Sequence, residues 1–88
     1  METDVIGQEI LAKVLMMTGY SRGVLASDRS PRNVAARERI YALMRSCEHP
    51  ECPQLSLRRI AQLCHADVAN IRTRIRKHGQ LEPWKFQA

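Results

Sequence analysis

Hydrophobic residues recur at helical spacing near the start of the chain. Between residues 4 and 18 the apolar positions lie three or four residues apart, which predicts an amphipathic helix. Asp4 can cap the start of this helix, and Gly19 can close its end. Residues 21–26 form a shorter segment that begins with Ser21, a good N-cap residue, and they predict one or two further helical turns.

A second long helix is predicted from residue 31 to residue 46. Ser30 and Pro31 are a pair that typically opens a helix, as the N-cap and the first helical residue. Residues 47–54 cannot continue this helix because they contain two prolines, and we interpret them as a loop. The inward-facing residues predicted for the helix are Val34, Ala35, Ile40, Tyr41, Leu43 and Met44.

Two short helices are predicted in the last third of the chain. Ser56 can cap the first, His65 and Ala66 form a tight turn, and Asp67 can cap the second. Two such helices joined by a short turn form a helix-turn-helix, here at residues 56–78. The inward stripe predicted for the second helix is Val68, Ile71, Ile75 and His78, and Gly79 ends it.

The pattern therefore predicts an all-α fold, with four to five helices in a small domain at residues 1–79 and a helix-turn-helix at its C-terminal end. Residues 80–88 show no periodicity and no strand pattern. We interpret them as a tail that packs back on the domain, or as a linker to a further domain of the same chain. A length of 88 residues suits one domain.

Composition and cysteine usage predict a soluble, cytoplasmic protein without a membrane partner. Hydrophobic residues make up 44% of the chain and charged residues 26%, and no apolar run is long enough to span a bilayer. The first residues are acidic, whereas a signal peptide would begin with basic residues. The odd number of cysteines, three, argues against a disulfide framework and fits a reducing compartment.

The net charge of +5 is concentrated in the last part of the chain. Residues 1–54 contain seven basic and seven acidic side chains, so this part is neutral. Residues 55–88 contain seven basic side chains and two acidic ones, and the difference accounts for the whole net charge. Positive charge concentrated on one short segment is typical of proteins that bind a polyanion such as DNA.

The outward face of the second short helix carries side chains of the types that can read DNA bases. An arginine guanidinium can pair with two acceptors of guanine, an asparagine amide can pair twice with adenine, and a threonine methyl can contact thymine. A solvated helix face usually interleaves acids, and residues 72–79 contain none. The outward residues are Ala69, Asn70, Thr73, Arg74 and Lys77, flanked by Arg72 and Arg76.

The first short helix is expected to cross the DNA backbone. The backbone amides that follow Ser56, together with Arg58 and Arg59, can bind phosphate there. Such contacts position the protein and carry no sequence information. The predicted partner is therefore double-stranded DNA, with base reading assigned to the second helix.

Four short segments follow one another along the chain in an order that is informative. They are Gly-Tyr-Ser-Arg-Gly-Val-Leu at residues 19–25, Arg-Ser-Pro-Arg-Asn-Val at 29–34, Ala-Arg-Glu at 36–38 and Leu-Ser-Leu-Arg-Arg-Ile-Ala at 55–61. In this order, over residues 5–78, the chain resembles the C-terminal DNA-binding domain of the bacterial replication initiator DnaA. That family has a Trp-repressor-like helix-turn-helix, which is the fold that the resemblance implies.

The resemblance also implies a minor-groove contact, because an arginine from the family's basic loop enters that groove; here Arg29 or Arg32 would take this role. The family's box-reading signature, Asp-His-Thr-Thr-Val, is represented only by Asp-Val-Ala-Asn-Ile at residues 67–71. The DnaA box is therefore not the expected target. Because 88 residues leave no room for the initiator's nucleotide-binding domain, we expect a transcriptional regulator of bacterial, prophage or gene-transfer-agent type.

A zinc site is the main alternative for the cysteines. Cys47, His49 and Cys52 include ligands that zinc prefers, and Cys64 and His65 follow later in the chain. Their spacing matches no common zinc pattern, so we expect no metal and no other cofactor. Adjacent Cys64 and His65 side chains point apart at a helix end and offer no third orienting group, so we do not expect an enzyme.

Two other functions remain open at this point. The first is a helical protein-interaction module that uses its basic face to bind an acidic partner, such as part of the transcription machinery. The second is an accessory protein that binds a replication origin. The run Leu15-Met16-Met17 is apolar on more than one face, which suits either core packing or a dimer or partner surface. The oligomeric state is not predicted.

Overall fold

A computed structural model describes residues 4–25, 30–79 and 81–87. Four α-helices dominate it, which confirms the predicted all-α class. The elements in chain order are α1 (Val5–Thr18), a 3₁₀ turn (Arg22–Leu25), α2 (Pro31–Ser46), β1 (Cys47–Glu48), α3 (Leu57–Cys64), α4 (Val68–His78) and β2 (Trp84–Lys85). In the described part of the chain, no helix has the length and apolar character needed to cross a membrane.

Each helix begins at the capping residue that the sequence predicts. A side-chain oxygen of the cap accepts a hydrogen bond from a backbone N–H in the first turn, which satisfies a donor that the helix itself leaves unpaired. The side chain of Asp4 accepts from the Gly7 N–H at 2.9 Å, and that of Ser30 accepts from the Asn33 N–H at 3.3 Å. Likewise, Ser56 accepts from the Arg59 N–H at 3.1 Å, and Asp67 accepts from the Ala69 N–H at 3.2 Å. The helix bounds therefore follow directly from local chemistry.

The hydrophobic core lies between α1, α2 and α3, and α4 packs against α2 and α3. Two predicted core positions are wrong. Ala35 is exposed and its neighbour Ala36 is buried, and His78 is exposed because the inward stripe of α4 does not reach the last residue of the helix. The residues without solvent exposure include Ile10, Leu11, Val14, Ile40, Met44, Leu55, Ile60 and Ile71.

Gly7 lets α1 approach α3 closely. A Cβ atom at this position would lie 2.5 Å from Oδ2 of Asp4 and 2.6 Å from Cδ1 of Leu63 on α3. These separations are far below van der Waals contact, so any larger residue at this position would require the side chains of Asp4 and Leu63 to move. The same close approach brings the start of α1 beside the first turn of α3.

The predicted loop at residues 47–54 begins with a strand, and the tail packs back on the helical body. β1 and β2 pair in parallel, with Cys47 opposite Trp84, and the indole N–H of Trp84 donates to the Leu43 carbonyl at 2.8 Å. The ring centroid of Phe86 lies 4.7 Å from that of His49. The sequence shows no strand pattern here because strands of two residues are too short for alternation to be visible.

Candidate nucleic-acid interface

The turn between α3 and α4 is held by a residue in a left-handed conformation. His65, the C-cap of α3, has φ 55° and ψ 46°, a region that histidine tolerates better than most side chains. The carbonyl of Ala61 accepts hydrogen bonds from the N–H groups of His65 and Ala66, the latter at 2.9 Å. Asp67 then caps α4. Three residues therefore connect the two helices, as the sequence predicts.

The outer face of α4 is exposed and basic. Ile71 is the buried residue of this helix, and Thr73 lies about 200° around the helix from it, at the centre of the exposed face. The Thr73 hydroxyl donates to the Ala69 carbonyl at 3.0 Å, so the polar atom is used within the helix. Residues 68–78 contain no acidic side chain. The predicted contacts that are exposed are Ala69, Asn70, Arg72, Thr73, Arg76 and Lys77.

Arg74 departs from the predicted arrangement. Its Nη1 donates to Oε1 of Glu38 on α2 at 3.0 Å, and the two side chains are 32% and 17% exposed. Arg74 therefore lies at the flank of α4 that faces α2, outside the fully exposed face. The sequence does not predict this pair because its partners are 36 residues apart on different helices.

Arg59 is also engaged within the protein. Its Nε and Nη2 donate to the Asp4 carboxylate at 2.9 and 2.6 Å, and its Nη1 donates to Sγ of Cys52 at 3.2 Å. The hydrogen bond from Arg59 lowers the pKa of Asp4, and the Gly7 N–H acts in the same direction against the opposing effect of burial. Every guanidinium nitrogen of Arg59 thus has a partner in the protein, which distinguishes it from the exposed Arg58.

The other predicted phosphate and minor-groove residues are placed as follows. Ser56 and Arg58 are exposed at the start of α3. Arg32 is exposed in the first turn of α2. Arg29, the alternative to Arg32 for the minor groove, lies outside the described residues.

A cleft of about 960 Å³ opens beside the start of α4, and sequence reasoning missed most of it. Asn70 and Arg74 of α4 form one wall, and Arg22 and Arg37 are among the residues that complete it. Arg22 and Arg37 lie in the neutral part of the sequence, where the charge balance conceals any local concentration. Only their place in the lining of the cleft beside α4 shows that they belong to this surface.

The candidate metal ligands have other partners. Nδ1 of His49 accepts a hydrogen bond from the Glu51 N–H at 3.0 Å, Nε2 lies 3.3 Å from Oε2 of Glu9, and Cys52 accepts from Arg59. Burial raises the pKa of Cys47 to about 11, so this thiol is protonated at neutral pH. Within residues 4–25, 30–79 and 81–87, no group of three or more His, Cys, Asp or Glu side chains could hold a metal ion.

Cys64 is a core residue in this structure. Burial raises the pKa of the Cys64 thiol to about 12. Its S–H group donates a hydrogen bond to the Met44 sulfur, with 3.7 Å between the two sulfur atoms. The side chain of His65 next to it is exposed, so the two groups do not share an environment. A buried, protonated thiol of this kind packs as a small apolar side chain.

Comparisons with protein-family models, curated proteins and solved structures returned no match. The resemblance to the DnaA domain therefore stays a prediction from the sequence. What bears on function is the arrangement of side chains on α3, on α4 and around the adjacent cleft.

Proposed function

We propose that this chain binds double-stranded DNA through a helix-turn-helix, with α3 and α4 as its two helices and α4 in the major groove. The observation that carries the proposal is the outer face of α4, which is exposed, basic and free of acidic side chains. An α-helix with its side chains is about 10–12 Å across, and the major groove is about 12 Å wide. The face is therefore of a size and charge that suit the groove.

Specific roles follow from the side chains on this face. Asn70 is assigned to an adenine, because its amide N–H can donate to N7 while its amide oxygen accepts from the N6 amino group. It lies in the first turn of α4, the part of a recognition helix that contacts base edges. Thr73 offers its methyl group to thymine, since its hydroxyl is bonded to its own helix. Arg72 and Arg76 are the exposed arginines of α4 and are assigned to guanine.

Phosphate binding at the start of α3 is proposed for Ser56 and Arg58 without Arg59. The amides that follow Ser56 and the exposed Arg58 guanidinium lie at the N-terminus of the helix, where the helix dipole favours an anion. Arg59 stabilises this segment instead, by joining it to Asp4 at the start of α1. The phosphate contact is thus anchored to the helical body.

Regulation of transcription in the cytoplasm is the proposed context for DNA binding. The order of sequence segments that resembles the DnaA domain supports the helix-turn-helix assignment. The departure at residues 67–71 supports a target other than the DnaA box. Origin binding as an accessory protein is a variant of the same proposal that differs only in the target site.

Fluorescence anisotropy with a labelled random duplex tests the proposal. At low salt we expect micromolar or tighter binding. A plot of the logarithm of the affinity against the logarithm of the salt concentration should have a negative slope, the salt slope, of about 0.9 for each phosphate contacted. An Arg72→Ala/Arg76→Ala double variant should bind more weakly than an Arg39→Ala/Lys85→Ala double variant, which loses the same charge from exposed positions outside α4. Absence of binding to any duplex at low salt would reject DNA binding.

A protein-interaction module is the second candidate, and the surface of α1 favours it. Val5, Met16 and Met17 are 59%, 76% and 49% exposed, so this helix presents three large apolar side chains to solvent. The anisotropy experiment distinguishes the candidates, because an interaction module would show no steep, salt-dependent duplex binding.

A further inference from the structure

Three arginines from three separate elements meet at the cleft beside α4. Arg22 comes from the 3₁₀ turn, Arg37 from α2 and Arg74 from α4. The three arginines are too far apart in the sequence for helical periodicity to predict that they line the same cleft. A concentration of positive charge in a concave surface raises the local potential more than the same charges on a flat surface.

The floor of the cleft is formed by buried side chains. Tyr41 is 2% exposed and Cys64 is 1% exposed, and both line the cleft. Burial raises the pKa of Tyr41, while the charges of Arg37 and Arg74 act to lower it. Burial also raises the pKa of Cys64, against the charge of Arg22. All three arginines therefore act electrostatically on the same floor.

Two of the arginines are anchored, and the third is exposed. Nη1 of Arg37 donates to the Val24 carbonyl at 3.2 Å, which attaches the 3₁₀ turn to α2. Glu38 holds Arg74 on the opposite wall. Arg22 is exposed, and no carboxylate among the described residues forms an ion pair with it. Arg22 is thus the member of the set best placed to contact an external anion.

The cleft is continuous with the outer face of α4. Asn70 belongs both to the exposed face of α4 and to the wall of the cleft, and His65 of the preceding turn also borders it. When a helix lies in the major groove, the sugar-phosphate backbone passes beside it. The backbone that borders the start of α4 would therefore run over this cleft.

We infer that the cleft binds a phosphate group of the DNA backbone that flanks the bases contacted by α4. Arg22 is the contacting residue, and Arg37 is a positioning residue that holds the 3₁₀ turn. Guanidinium groups match phosphate because their parallel N–H groups can donate to two of its oxygens. This inference rests on the proposed DNA binding and adds a contact outside α3 and α4.

Salt-dependent anisotropy on single-charge variants tests the role of Arg22. We expect Arg22→Ala to weaken binding to preferred and random duplexes alike by about fivefold to tenfold, and to reduce the salt slope by about one unit. Arg22→Lys should restore the slope and part of the affinity. The matched control is Arg39→Ala, which removes an exposed arginine of α2 that does not line the cleft.

The positioning role of Arg37 is tested by a double-mutant cycle. We expect Arg37→Ala to reduce the salt slope as Arg22→Ala does, and the double variant to lose little more than either single variant. Far-UV circular dichroism at the assay temperature checks that each variant is folded. Additive losses would reject the positioning role, because two independent contacts add.

Replacing single phosphates by neutral methylphosphonates then locates the contact. One substitution, in the backbone beside the site of α4, should remove the difference in affinity between the wild-type protein and Arg22→Ala. An unchanged affinity and slope in Arg22→Ala, with steep salt dependence retained by the wild type, would reject the cleft and leave DNA binding intact. An equal loss in Arg39→Ala would also reject it, since only net charge would then matter. Failure of the wild type to bind duplex would reject both proposals.

Discussion

Glu38 on α2 accepts a hydrogen bond from Arg74 on α4, with 3.0 Å between Oε1 and Nη1. This pair joins the helix proposed to read DNA to the longest helix of the fold. It also places a carboxylate beside an arginine that the sequence alone assigns to base reading. The pair therefore both orients α4 and reduces the positive charge at one flank of its outer face.

Glu38→Gln is expected to increase affinity for random duplex by about threefold, the scale of a partly exposed ion pair. The amide oxygen of glutamine can still accept from Arg74, but the negative charge beside the DNA is removed. Anisotropy at two salt concentrations measures the change. Glu51→Gln is the control, because Glu51 is exposed on the turn between β1 and α3. Equal gains in both variants would mean that only the net charge matters.

Asn70 and Arg58 are expected to contribute differently to binding. Asn70→Ala should reduce the preference for the selected site over random duplex by about tenfold to a hundredfold, because a paired amide contact to adenine is lost. Arg58→Ala should weaken both duplexes alike and reduce the salt slope by about one unit. A site selected from a random pool, followed by competition binding, provides the measurement. Equal losses on both duplexes for Asn70→Ala would reject the assignment of α4 to the major groove.

The sequence predicts those features of the fold that depend on neighbouring residues. Ser56 and Asp67 cap their helices as expected because an N-cap bonds to an amide two or three residues away. Pairs across the fold are not predicted: Arg59 meets Asp4 across 55 residues, and its guanidinium is hydrogen-bonded within the protein. No helical periodicity indicates which distant carboxylate an arginine will meet.

The candidate site also contains residues that the sequence predicts and residues that it does not. The exposed residues of α4 follow from one helical face, so spacing identifies Asn70 and Thr73 correctly as exposed. Arg22 escapes prediction because its place in the cleft depends on how the 3₁₀ turn packs against α2. The candidate surface thus combines a local pattern with a tertiary arrangement.

Acid should destabilise the protein partly through Asp4. The hydrogen bond from Arg59 lowers the pKa of Asp4 in the folded state below its ordinary value of 3.8. The resulting stabilisation is present above that ordinary value and is lost as the pH falls through the lower folded value. Asp4→Asn should lower the free energy of unfolding at neutral pH by about 1 kcal/mol through the lost ion pair with Arg59, since asparagine caps a helix about as well as aspartate.

Urea unfolding between neutral pH and pH values below 3.8 measures this effect. The difference in stability between the wild type and Asp4→Asn should shrink as the solution becomes more acidic, because the wild-type carboxylate is then protonated as well. Glu82→Gln, in the exposed tail, serves as the control and should track the wild type. A difference that stays constant with pH would contradict a role for the Asp4 charge.

Trp84→Phe is expected to destabilise the fold through the end of α2. The Leu43 carbonyl lies in the last turn of that helix and accepts from the Trp84 indole at 2.8 Å and from the Ser46 hydroxyl at 3.2 Å. Phenylalanine keeps an aromatic ring in place but removes the indole donor, which should cost about 1 kcal/mol. Because Trp84 is the single tryptophan, urea unfolding must be followed by circular dichroism. The control is Lys85→Ala, at the exposed neighbouring residue, which should leave the unfolding midpoint unchanged. A Trp84→Phe variant as stable as the wild type would show that this hydrogen bond does not stabilise the fold.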